Sequence, residues 1–239
     1  MHPNDAPRTM KILLWLAGLV VAFFGAIKVA GWVAGQLGLS PLAATSLGQA
    51  AILLVAVGFA LADGVGFRTL GATARWKGYD LAAIPGVIGI HFVGSAITTV
   101  MLMQFKLLDM NTKAIGSVMR EFTQYDAGVF TLVALGLALQ AGIGEELLFR
   151  GYLLTRLERL GLPSWLCIPI TALAFGLAHV SGYGLLPSLS KAVWFGLPTA
   201  IYFWYRRNLG PLIVAHTLMD FLSFMAMYVA LKFLPTAVF

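Results

Sequence analysis

Residues 128–149 read GVFTLVALGLALQAGIGEELLF, an apolar run that ends in two adjacent acids, Glu145 and Glu146. It is long enough to cross a hydrocarbon core of about 30 Å, and backbone groups in lipid must be satisfied internally, so the run predicts a transmembrane helix. Six further blocks of the same character lie at 11–35, 43–62, 81–105, 164–180, 189–205 and 209–233. They are continuous Leu, Ala, Val and Phe without ten-residue alternation, which argues against a barrel. The chain of 239 residues is 59% hydrophobic and 11% charged, with a mean hydropathy of +0.86. A soluble domain carries about a quarter charged residues, so there is too little polar surface here to face water. The reading is an all-α, polytopic transmembrane helical bundle of about seven or eight spans. It forms a single integral membrane domain over 1–239, with the lipid bilayer as its solvent.

The net charge of +6 comes from basic residues scattered singly or in pairs. No basic stripe interleaves with aromatics, so nucleic acid is not an expected partner. Cys167 sits in an apolar block and has no second cysteine to pair with. The segment MHPNDAPRTMK precedes the first block without a small-x-small cleavage site, so an uncleaved first span is expected. An N-terminus in the cytoplasm puts Arg8, Lys11, Arg68, Arg75, Lys77, Arg156, Arg159, Arg206 and Arg207 on the inner side. Lys28, Lys106, Lys113, Arg120, Lys191 and Lys232 then lie outside, partly balanced by Asp109, Glu121 and Asp126, and the bias favours this topology with the C-terminus outside. The compact chain lacks organelle signals, so the expected location is a bacterial inner (plasma) membrane. The 63–80 loop reads as an ordinary connector, and 106–127 as an interfacial surface helix or a lid.

Ionisable residues inside spans are expensive unless pairing or function retains them. They are His91, Glu145, Glu146, Arg150, His179, His216 and Asp220. On a helix Glu146 and Arg150 share a face, four residues apart, and can neutralise each other. Glu145 is rotated by about 100° and lacks that partner, which leaves it free for chemistry. The alternative is a pair of solvated acids at a helix end. His179 follows in Phe175-Gly-Leu-Ala-His179, where a packed structural histidine is the competing reading. His216-Thr-Leu-Met-Asp220 is a second pair on one face; Asp220 can fix the tautomer of His216, or the pair can glue two helices.

Depth joins two of these elements. Glu145 lies 14 residues before Arg159, and His179 lies 15 residues after Ser164. At 1.5 Å per residue both stand roughly 21–22 Å up neighbouring antiparallel helices. His216, seven residues after Leu209, is shallower by this count. Water would have to reach Glu145, so a polar cavity opening from the cytoplasmic side is expected.

Glu145-Glu146-x-x-x-Arg150, Phe175-x-x-x-His179 and His216-x-x-x-Asp220, in this order on successive helices, resemble the CAAX protease and bacteriocin-processing family, whose members include type II CAAX prenyl endopeptidases. The resemblance covers about 128–225, the expected catalytic core. It implies an intramembrane glutamic endopeptidase without a metal cofactor, acting on a lipidated or membrane-associated protein or peptide. Glu145 matches the general base on a water oriented by His179, and His216 and Asp220 match the oxyanion side. Glu146 and Arg150 match supporting groups. An ionised Asp220 would repel an oxyanion, so its expected role is to orient and charge His216.

A zinc site from Glu145, His179 and His216 is the rival catalyst, although no His-Glu-x-x-His accompanies it. A Gly-x-Ser-x-Gly site is also absent. Outside proteolysis, the same polar residues could relay protons in a small transporter or channel, or persist in a catalytically silent, immunity-type scaffold.

Overall fold

Polar side chains at the starts of three of the long helices satisfy free backbone groups there. The computed structural model describes residues 6–66, 68–71, 76–107 and 120–233. Helix α1 spans Ala6–Gln36. Ser40 starts α2, Pro41–Ala62, by accepting from the amide of Ala43, and Asp63 caps its end. Asp80 folds back on the amide of Lys77 to start α3, Gly78–Gln104. Asp126 accepts from the amides of Gly128 and Val129 at 2.8 and 3.0 Å and starts α4, Ala127–Arg159. A turn at Gly161, in the left-handed region, leads to α5, Ser164–Leu177. After the short α6, Val180–Tyr183, and a break at Gly184, α7 covers 185–206. The last helix, α8, is Gly210–Phe233.

Among the described residues there is no strand, and the protein is an all-α membrane bundle. Among the described residues five helices are long and apolar enough to span a bilayer, namely α1 from Leu13, α2, α3, α4 and α8. α5 is shorter, and α7 is interrupted by π-helical Ala192–Gly196. All seven apolar blocks are thus helical. The expected surface helix or lid falls largely on 108–119, which with Arg75, Asp109 and Lys113 lies outside the described residues. The side chains of Arg8 and Lys11 lie outside them too.

Large apolar side chains such as Val21, Trp32, Leu54, Val93, Leu132 and Trp165 point outward. In lipid this costs nothing, so cohesion must come from close packing and polar contacts. Gly142 of α4 meets α8: a methyl group there would come within 2.5 Å of Thr217 Oγ1 and 3.0 Å of the Ile213 carbonyl. Gly176 of α5 meets the Ser188 carbonyl of α7 as tightly, at 2.5 Å. The first approach brings together the helices bearing Glu145 and His216, and the second seats α5, which leads into His179, against α7.

The 63–71 part of the first polar loop is more than a connector. Its Leu70 is fully buried, the carbonyl of Gly71 accepts from the amide of Leu209, and Asp63 binds both Arg156 (3.0 Å) and the Tyr152 hydroxyl (2.9 Å). Asp80 is likewise buried, held by Arg206 Nε at 3.0 Å and the Tyr202 hydroxyl at 2.6 Å. Arg207 pairs with Glu158. Three of the cations assigned to one side, Arg156, Arg206 and Arg207, are therefore pinned at one end of the bundle. At the other end Phe122, Phe130 and Tyr228 form a second apolar cluster, and Lys232 donates to the Tyr228 hydroxyl.

Candidate active site

Within α4 the backbone widens to a π-helix over Leu147–Leu154, directly after the two glutamates. Such wide turns are rare and recur at functional sites. They also rise less per residue than α-helical turns, so counting from Arg159 at the α-helical rise sets Glu145 too far from that end. The apparent mismatch with the shallower His216 disappears: His216 lies against both glutamates.

Glu146 and Arg150 are fully buried and meet at 2.9 Å, as the spacing predicts. The same Glu146 Oε1 also takes His216 Nδ1 at 2.8 Å. The expectation that Asp220 fixes the His216 tautomer is therefore replaced. A carboxylate accepts, so Nδ1 carries a proton toward Glu146, and Asp220 Oδ2 stands 3.6 Å from the other nitrogen, Nε2. Arg150 spends its second nitrogen on Thr199 Oγ1, at 2.5 Å, and lies over the Phe175 ring, 4.4 Å from its centroid. Phe195 flanks it on a second side at 5.4 Å. This cluster excludes water and fixes His216.

His179 is anchored differently. Its Nδ1 is 2.8 Å from the Phe175 carbonyl oxygen, which can only accept, so the proton of the neutral ring is on Nδ1. The free Nε2 faces Glu145 Oε2 at 3.7 Å, and His216 Nε2 faces the same oxygen at 3.9 Å. Both gaps exceed hydrogen-bond length, and Glu145 Oε2 is buried without a partner. A neutral His179 Nε2 and an ionised Glu145 are both acceptors. Any group joining them must donate twice, which a water does.

Exposure is graded across the cluster. The side chains of Glu146 and Arg150 are inaccessible, whereas His179 is 19% and Asp220 23% exposed, so the cluster is open on their side. A cavity of about 290 Å³ also lies between α2 and α4, with Ser40, Ser46, Tyr125 and Gln140 among apolar neighbours such as Leu42, Val133 and Leu137. It lies toward the end away from Arg156 and Arg206, not toward the cation-rich end where an opening is expected. Among the described residues no set of three or more His, Cys, Asp or Glu is arranged to hold a metal ion. His91 is buried outside the cluster, edge-on to Phe195 at 5.7 Å.

All seven candidate residues thus come together: Glu145, Glu146, Arg150, Phe175, His179, His216 and Asp220. Three participants are missing from the sequence reading. Thr199 and Phe195 complete the Arg150 site, and Gln49 of α2 donates to Glu145 Oε1 at 3.2 Å. Their only sequence signal is a hydroxyl, a ring or an amide in an apolar span, and such groups commonly just join helices.

Fold and site together define a polytopic all-α membrane protein with an acid–imidazole–guanidinium cluster buried at the meeting of four helices. Residues 127–222 match the family model described as Type II CAAX prenyl endopeptidase Rce1-like, against the 128–225 expected. The match to this Rce1-like domain runs from the start of α4 into α8 and leaves α1–α3 outside it. No curated protein and no solved structure matches the chain.

Proposed function

We propose that this protein is an intramembrane glutamic endopeptidase in which Glu145 is the general base. The observation that carries the reading is the buried, unpartnered Glu145 Oε2, faced by His179 Nε2 at 3.7 Å and His216 Nε2 at 3.9 Å. A water donating to Glu145 Oε2 and His179 Nε2 has its lone pairs free for a peptide carbonyl carbon. As the new C–O bond forms, the water proton moves to Oε2. The carbonyl π electrons pass to oxygen, and protonated His216 donates to that oxyanion through Nε2. When the C–N bond breaks, the proton on Glu145 goes to the leaving amine.

The remaining groups hold these atoms. Glu146 fixes the His216 ring through Nδ1, and Arg150 balances the Glu146 charge. Asp220, 3.6 Å from Nε2, favours the charged form of the ring. No step requires a metal. The substrate class is a lipidated or membrane-associated protein or peptide, the whole chain acts as one membrane domain with its catalytic core at 128–225, and the location is a bacterial inner membrane with the N-terminus cytoplasmic.

Purified protein in detergent, offered a fluorogenic peptide library with and without a strong chelator, tests the reading. Cleavage that survives the chelator supports it. Chelator-sensitive cleavage points to zinc held by Glu145, His179 and His216. No cleavage, combined with proton flux in liposomes, sinks the protease.

A further inference from the structure

Glu145 presents its two oxygens to different neighbours. Oε2 looks toward the imidazoles, while Oε1 accepts from Gln49 Nε2 at 3.2 Å. Gln49 belongs to α2, outside the 127–222 domain. We propose that Gln49 is a positioning residue that clamps Glu145 Oε1 and thereby turns Oε2 onto the site of the attacking water. This rests on the proposed role of Glu145 as base.

Three observations support it. First, α2 and α4 run close at this level: a methyl group on Gly144 would just reach van der Waals contact with the backbone of Leu53, 3.5 Å from its amide nitrogen and one turn beyond Gln49. The two helices are therefore close neighbours where Gln49 meets Glu145. Second, a parallel rung on the same seam joins Ser46 Oγ to Gln140 Oε1 at 2.9 Å, so the amide is one of an ordered pair of polar contacts. Third, Gln49 Oε1 is buried with no partner, so this amide is held by its contact to Glu145 and by no competing one.

The residue type suits a base that changes charge. An ionised Glu145 needs a donor, and a Glu145 that has taken the water proton can donate. A glutamine amide offers both, because turning its terminal group exchanges nitrogen for oxygen. A lysine could only donate, and a carboxylate would repel the ionised base.

The test uses the four glutamates of the chain, Glu121, Glu145, Glu146 and Glu158, labelled with carbon-13 at the carboxyl carbon in the full-length protein in detergent. Glu145→Gln assigns the Glu145 signal, and unmoved Glu121 and Glu158 signals report an intact fold. Gln49→Met and Gln49→Ala are compared with the parent. The expected result is a displaced Glu145 signal in both variants, with kcat lower by about 10- to 100-fold and KM within about twofold, as for loss of a hydrogen bond to a charged group. An unmoved Glu145 signal overturns the proposal, as does a raised KM with unchanged kcat. If the parent cleaves nothing while the Glu145 signal still follows Gln49, the clamp on Glu145 stands and the protease reading falls.

Discussion

Arg150→Met keeps most of the volume and helix preference of the side chain but removes its charge. In the parent the guanidinium is inaccessible, 2.9 Å from Glu146 Oε1, bonded to Thr199 and seated over Phe175. Its loss leaves the buried Glu146 carboxylate without its guanidinium partner and with only the His216 ring beside it. Breaking a buried pair from one side costs about 3–5 kcal/mol. For a chain of this size each kcal/mol lowers Tm by about 2–4 °C, so a fall of about 6–20 °C is expected. Adding Glu146→Gln removes the stranded charge, so the double variant should recover at least about half of the loss. Its activity should stay low, because the 2.8 Å anchor from His216 Nδ1 to a carboxylate is gone. The assay is thermal unfolding in a fixed detergent across the four members of the cycle. A fall below about 2 °C in Arg150→Met, or additive losses in the double variant, would refute this account of Glu146 and Arg150.

Gly142→Val should force α4 from α8 at Thr217, lowering stability by about 1–3 kcal/mol and activity further, read by unfolding and peptide cleavage. Thr199→Val deprives Arg150 of an acceptor without creating a cavity and should cost about 1–2 kcal/mol; no change in Tm would show that the Gly196 carbonyl suffices. Asp220→Asn should keep substantial activity while His216→Ala does not, since Asp220 stands 3.6 Å from a ring that Glu146 already holds. Comparable losses in both would give the Asp220 carboxylate a direct part in the chemistry.

Local composition made the helices legible, because each apolar block carries its own signal. The pairing of Glu146 with Arg150 was equally readable, since an i, i+4 contact is set by helix geometry alone. Contacts between distant helices were not. Asp80 reads as a loop acid, yet it lies in the first turn of α3 beneath Arg206, 126 residues on. The role of Gln49 depends on α2 meeting α4 at Gly144, which no spacing within either helix reveals. His216 looks too shallow because a residue count assumes uniform α-helical rise, and the local sequence carries no signal for the π-helix at Leu147–Leu154. The tautomer partner was misread for a related reason. Asp220 is near His216 in sequence, but Glu146, 70 residues away, makes the short contact.

The central claim is that the free carboxylate of Glu145 performs the hydrolysis. Its most direct test is the turnover of a cleaved peptide by the parent and by Glu145→Gln, both purified and both checked for unchanged Tm. Glutamine keeps the shape and the contact distance to Gln49 but cannot take a proton from water. The account predicts a loss of about 10²- to 10⁴-fold in kcat at unchanged stability. Turnover within a few-fold of the parent in a folded Glu145→Gln protein would contradict it.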